Sequence, residues 1–439
     1  MNNELISILM FVALIVVLLL GVPVAFALAG VATIFGLFAF GENVILQFLL
    51  ATWDVMKMYS LLAVPLFVFM GSLLAKSGVT ERLYNSLYQM LGGFKGGLGV
   101  TTIIISIFFG ACTGVIGAAV ITMAIIALPS MLEKGYDSGL ATGSIAAGGC
   151  LGLIIPPSIM LIIYGSESGT SISQLFTGAL IPGILLGTLY ACYVALICII
   201  KPSLGPAIPL LERKKIDSRL IKTFIFSLLP VLALIAFVLG SIMVGIAAPS
   251  EAASLGAIGS LFVCAIYKTL NLRIIKESVI VALKITSMVV FIVLGAKFFT
   301  TVFFRLGGHH LVSQFVVNLE LSQSSFFLII MILLLVLGMF MDWIGLMMVF
   351  IPVFNPMVKD FGFEPLWYGI MFCMVLCVSL LTPPFAYAVF YLKGVAPPTI
   401  KLSEMYLGSV PFLIINTLIV VLLFYMPILV TWLPYYMTK

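Results

Sequence analysis

The chain is poor in charge. Only 8% of its 439 residues are Asp, Glu, Lys or Arg, against roughly a quarter in soluble domains. It has two histidines, His309 and His310, and neither lies in an apolar run. That removes a haem held by axial histidines within helices. It also leaves a serine-type intramembrane protease without a base, and an aspartyl one would need a second acid facing Asp342. No GxxxxGK[ST] loop occurs, so a nucleotide-driven pump has no phosphate cradle. Seven cysteines are present but no CxxC; scattered through apolar runs, they read as small packing residues rather than a metal site or disulfide frame.

What is abundant is apolar sequence: 63% hydrophobic residues and a mean hydropathy of +1.30. So much apolar surface does not fit one aqueous core, and the reading is an all-α polytopic membrane protein. The runs are too long for the alternating strands of an outer-membrane barrel. The opening MNNELISILMFVALIVVLLLG has no basic leader and no A-x-A cleavage site, so it reads as a retained first helix.

Ten runs are expected to cross the bilayer: 5–20, 24–40, 61–76, 140–165, 176–200, 224–246, 250–268, 278–304, 366–392 and 404–433. Residues 98–130 do not fit one crossing. As a single helix this uncharged run would be about 50 Å long against a hydrocarbon core of about 30 Å, and two crossings would need about 40 residues. With FGACTGVIG at its centre, it reads as a re-entrant hairpin. Residues 324–353, centred on GMFMDWIG, read the same way. Placing the loop 201–222 in the cytoplasm puts fifteen of the Lys and Arg residues on that side and four on the other, as the positive-inside rule requires. Both termini then face outward.

An internal repeat follows. ALPSMLEKGYD (127–137) aligns with FNPMVKDFGFE (354–364), and LIIPPSIMLIIY (153–164) with LLTPPFAYAVFY (380–391). The offset is constant at 227, pairing Pro129 with Pro356, Gly135 with Gly362, Pro156 with Pro383, Pro157 with Pro384 and Tyr164 with Tyr391. Each half holds five crossings and one hairpin, and five crossings between matched loops turn the second copy over. The expected organisation is a first inverted repeat over 1–200, a cytoplasmic linker over 201–222 and a second repeat over 223–439. The paired prolines, Pro156–Pro157 and Pro383–Pro384, should break their helices. A break at bilayer depth survives only where protein or a watery cavity shields it, and there its bare carbonyls can hold a cation.

The segments FFGACTGVIGAAV, MLEKGYDSGLATG, LGLIIPPSIMLIIYG, APSEAASLGAIGSL, MDWIG and LLTPPFAYAVFYLKGVAPP resemble the large membrane subunit of tripartite ATP-independent periplasmic (TRAP) transporters, over nearly the whole chain. The resemblance implies a sodium-driven elevator transporter of the ion-transporter superfamily type, in the bacterial inner membrane. It implies a separate small membrane subunit of four helices and a periplasmic substrate-binding protein that delivers a small organic acid or similar polar solute. Sodium is the coupling ion and no other cofactor is implied. Many relatives carry a Ser-rich first hairpin tip where this chain has Ala111-Cys112-Thr113-Gly114-Val115-Ile116-Gly117, so a sialic-acid or C4-dicarboxylate label does not carry over directly.

With that frame, a first sodium site is expected around Thr113, Gly114, Gly117, Ile155, Pro156 and Ser158. Sodium is a hard cation that takes oxygen ligands, and glycine lets backbone approach closely. A second is expected from Asp342, Gly345, Thr382 and Pro383, Asp342 being the sole carboxylate of its hairpin. Solute contacts are expected from Lys297, Thr113 and Ser158. Against these stand plainer readings: glycines that only pack helices, a structural acid, and a lysine that snorkels to the headgroups. Glu251 reads as a first-turn helix cap. A solute channel with re-entrant loops and an intramembrane enzyme are the alternatives of other classes.

Overall fold

The computed structural model describes residues 3–209 and 218–437. The basic core of the 201–222 linker, including Arg213, Lys214 and Lys215, and the terminal Lys439 lie outside the described residues. Among the described residues every regular element is helical. The first half runs α1 (Asn3–Leu19), α2 (Val24–Phe40), α3 (Asn43–Met56), a 3-10 turn (Tyr59–Leu62), α4 (Ala63–Lys76), α5 (Val79–Leu91), α6 (Gly97–Thr113), α7 (Ile116–Glu133), α8 (Ser138–Ile154), α9 (Ile159–Ser168) and α10 (Ile172–Ile200). The second runs α11 (Ser218–Met243), α12 (Pro249–Ile266), α13 (Leu272–Arg305), α14 (Gly308–Asn318), α15 (Gln323–Gly338), α16 (Trp343–Asp360), α17 (Pro365–Ser379), α18 (Tyr387–Lys393), α19 (Leu402–Tyr425) and α20 (Ile428–Met437).

Two consecutive helices stand where each hairpin is expected, α6–α7 and α15–α16, and both proline pairs interrupt their helices, between α8 and α9 and between α17 and α18. Eight described segments are long and apolar enough to cross a membrane by length and composition; one is the hairpin arm α7, and seven fall on expected crossings. The expected crossings 5–20 and 24–40 are helices of 17 residues, and 366–392 is broken at its proline pair, as expected, into pieces of 15 and 7 residues. The run 404–433 is two helices, because Pro427 bars the residue before it from helical geometry and α19 ends at Tyr425. Three short helices, α3, α5 and α14, occupy stretches that read as connections. The two histidines therefore sit in the first turn of α14 with rings stacked at 5.6 Å, and not in a loop.

A shift of 227 residues carries α7 onto α16 without remainder and the first residue of α8 onto that of α17. It carries α5 onto α14 and α2 onto α12 to within two residues. The departure is α13, continuous for 34 residues where the first half breaks between α3 and α4. Pro65 explains the break: it is the third residue of α4, tolerable in a first turn but not in a helix interior; the position 227 residues on is Ile292.

The packing is exchanged between halves. Helix α9 packs on α16, and α18 packs on α7 and α8. Cys150 and Cys377, 227 residues apart, meet at the centre, with the Cys377 Sγ 4.0 Å from the Cys150 carbonyl oxygen. Helices α8 and α17 are buried over almost their whole length. Small residues let α8 be covered so closely: a Cβ on Gly110 would lie 2.6 Å from the Gly152 Cα, and one on Gly408 only 1.9 Å from the Gly139 oxygen. Around this core stand α1, α2, α3, α4, α11, α12 and α13, with α13 packed on α2, α3 and α4. Their outer faces carry exposed apolar side chains such as Phe38, Phe226 and Phe262, as lipid contact requires. Glu251 caps α12 as expected: the Ala248 N–H donates to its Oε2 at 2.8 Å.

Candidate ion and solute site

The first break spans residues 155–158, all buried. Pro156 and Pro157 have no N–H to give, and the peptide between them is cis. The carbonyls of Ile155, Pro156 and Pro157 accept none of the hydrogen bonds among the described residues, so three oxygens stand free in an apolar interior. A buried carbonyl without a donor is costly, and a cation is one group that offsets the cost. Ser158 is more engaged. Its Oγ donates to the Leu153 carbonyl and accepts from the Leu161 N–H at 3.4 Å, capping α9.

The tip of the first hairpin rests on this break. Gly114 closes α6 in the left-handed region, φ +59°. A Cβ there would lie 3.3 Å from the Ile159 nitrogen and 3.4 Å from the Pro157 oxygen. The Thr113 Oγ1 is buried with no hydrogen-bond partner among the described residues. From the other side α4 closes in, since a Cβ on Gly71 would lie 2.6 Å from the Cys112 oxygen. Gly114→Ala should therefore both strain the tip, by about 1–2 kcal/mol for the left-handed residue, and push it off the break. On the expectation of a sodium site here, the result should be sodium dependence of uptake shifted to about tenfold higher concentration, with normal amounts of protein in the membrane. An unchanged sodium dependence would remove this tip from the site.

Gly117 is placed differently from the other members of the first group. A Cβ on it would lie 3.3 Å from the Tyr391 ring, so it faces α18 of the second half.

The second hairpin turns at Asp342, the extended N-cap residue of α16, whose Oδ2 accepts from the Ile344 N–H at 3.0 Å. The Tyr387 hydroxyl donates to the Phe340 carbonyl at 3.1 Å, tying α18 to this tip. Thr382 spends its hydroxyl on the Val378 carbonyl at 2.7 Å. Gly345 points away from the break, its missing Cβ 2.4 Å from Val24 on α2; it is a packing glycine of the hairpin. The second break also differs in exposure. Pro383, Pro384 and Phe385 are exposed where their counterparts are buried, and the Tyr406 hydroxyl donates to the Pro384 carbonyl at 2.7 Å.

A cavity of about 460 Å³ opens between α4 and α7, with Gly71, Ser72, Thr113 and Thr122 in its wall and Lys76 and Glu81 at its mouth. Lys297 lies elsewhere. Its Nζ is 3.2 Å from the Oε2 of Glu167 on α9. Sequence reasoning missed Glu167, although it is the one acidic residue between Asp137 and Glu212. No cluster of three or more His, Cys, Asp or Glu side chains able to hold a metal occurs among the described residues.

The family model for the tripartite ATP-independent periplasmic transporter, DctM component, matches residues 11–429. The chain belongs to this family. The 2,3-diketo-L-gulonate TRAP transporter large permease protein YiaN of Escherichia coli is 30% identical over 92% of this chain and 93% of its own length. The C4-dicarboxylate TRAP transporter large permease protein DctM of Pseudomonas aeruginosa is 28% identical over 86% of each chain. The sialic acid TRAP transporter permease protein SiaT of Haemophilus influenzae is 30% identical over 95% of this chain and 67% of its own length. Among solved structures, the YdaH transporter of Alcanivorax borkumensis matches 95% of this chain and 98% of that one with a TM-score of 0.64 at 13% identity. MtrF of Neisseria gonorrhoeae matches 88% and 85% with a TM-score of 0.59 at 14% identity; both likenesses concern the fold. This TRAP permease is thus a multi-pass membrane transporter and not an enzyme.

Proposed function

We propose that this TRAP permease imports a small organic acid or similar polar solute by sodium symport, in an elevator motion across the bacterial inner membrane. A periplasmic binding protein delivers the solute, and a small four-helix membrane subunit stands beside the permease. Residues 1–200 and 223–439 are two copies of one fold, inverted with respect to each other, with both termini on the periplasmic side. The observation that carries the reading is the pair of hairpin tips, each seated against a helix broken by two prolines. Three free carbonyls lie at one break, and a carboxylate lies at the tip against the other. The first ion is held by the Ile155 and Pro156 carbonyls with Thr113 and Gly114, and the second by Asp342 with the Thr382–Pro383 backbone. Sodium is the only ion required. The relatives support the solute class, since their names give C4-dicarboxylates, 2,3-diketo-L-gulonate, sialic acid and isethionate.

Each sodium entering with the membrane potential gains about 2.3 kcal/mol per 100 mV, enough for a few ions to drive large accumulation. The test is uptake into proteoliposomes holding the permease, its small subunit and its binding protein. Replacing external sodium with potassium is expected to abolish accumulation. Accumulation that persists in potassium defeats the coupling, and flux that never exceeds the electrochemical limit favours a channel.

A further inference from the structure

Two polar contacts fasten the end of α9 to the outer helices. The Lys297 Nζ on α13 meets the Glu167 Oε2 at 3.2 Å. One residue earlier, the Ser166 Oγ donates to the Ser60 Oγ, in the 3-10 turn before α4. Both outer partners, Ser60 and Lys297, belong to the frame that α13 builds with α3 and α4. The Glu167 side chain is only 2% exposed, and its Oε1 has no hydrogen-bond partner among the described residues. Lys297 is 30% exposed, and two of its three donors have no protein acceptor among the described residues. A buried carboxylate satisfied at one oxygen is held in place by its partner's charge, and removing that partner leaves an uncompensated buried charge. The pair therefore stabilises the position of α9 only while α9 sits at this depth. The cavity that reaches Thr113 is lined by the Lys76 end of α4, whereas Ser60 precedes the start of that helix.

We infer that Glu167 is a positioning residue of the transport cycle: its bond to Lys297 latches α9 to the frame in one end state and breaks in every turnover. The inference rests on the transporter reading above. Sliding α9 along α13 separates the charges, and the half-buried lysine can turn to water while the carboxylate needs a new partner. The latch thus biases the resting population toward the conformation seen here.

The test uses cysteines at Ser60 and Ser166 in a full-length chain whose exposed Cys192 is Ser. A disulfide across this contact should form readily under mild oxidation and stop uptake, and reduction should restore it. Glu167→Gln in this background is expected to slow cross-linking about tenfold. The charge swap Glu167→Lys with Lys297→Glu should bring it back, which a merely structural role of Glu167 would not do. Equal cross-linking with and without the Glu167 charge overturns the latch. So does a swap that stays as slow as the single variant, and so does uptake that continues through the disulfide. Cross-linking needs neither solute nor sodium gradient, so its outcome is independent of the coupling test.

Discussion

Asp342→Asn should fold, reach the membrane and fail to accumulate solute, with uptake reduced about 100-fold or more. Asn caps a helix about as well as Asp, so the bond from the Ile344 N–H survives and α16 keeps its start. What disappears is the charge. A carboxylate about 4 Å from a cation contributes roughly 4 kcal/mol at an effective dielectric near 20, and about 1.4 kcal/mol is already tenfold in affinity. The measurement is initial uptake across a sodium series, beside thermal unfolding of the purified variant. Asp342→Ala provides the contrast, since it also loses the cap, worth about 1 kcal/mol, and should melt lower. If Asp342→Asn takes up solute with its sodium dependence intact, Asp342 is a structural cap and the second ion site must be sought elsewhere.

Gly408→Ala is expected to be the most damaging small change to the fold. The added Cβ would lie 1.9 Å from the Gly139 oxygen and 2.4 Å from its carbonyl carbon. Backbone on a buried helix has no rotamer to change, so α19 must lift away from α8. Overpacking of this kind costs typically 1–3 kcal/mol, and here it also parts a crossing that Gly143, 2.1 Å from the Gly408 oxygen by the same construction, helps to form. A lower melting temperature in detergent and several-fold less protein in the membrane are the expected readings. Gly30→Ala is the control, because a Cβ there meets nothing within 4 Å and alanine suits a helix better than glycine. A Gly408→Ala protein as stable as the Gly30→Ala one would show that the α8–α19 crossing has slack.

The hairpins and broken helices were legible because they rest on residues whose backbone chemistry is unusual. A proline pair ends a helix wherever it sits, and an uncharged run of 33 residues fits neither one crossing nor two. Glu251 was legible for a similar reason, since a cap is local. Helices α3, α5 and α14 were not, because each is shorter than a crossing and partly polar, and length was the criterion. Pro65 was the available sign that the first half bends where the second runs straight. The Glu167–Lys297 pair depends on contact between residues 130 apart, which no local pattern reports. Gly345 and Gly117 show the limit for glycine. The residue marks a close approach, but Val24 and Tyr391 could be named only from the packing.

The length of α13 has a mechanical consequence. Its 34 residues extend about 51 Å, well beyond a hydrocarbon core of about 30 Å. Arg273, Lys276 and Glu277 stud one extremity and Arg305 the other, so a shift along the membrane normal in either direction submerges charge at about 2.5–3.5 kcal/mol apiece. Helices α8 and α17 contain no ionisable Asp, Glu, Lys, Arg or His at all. In the proposed elevator motion, α13 is the pier that the bilayer holds in place, and α8 and α17 carry no such charge to oppose travel.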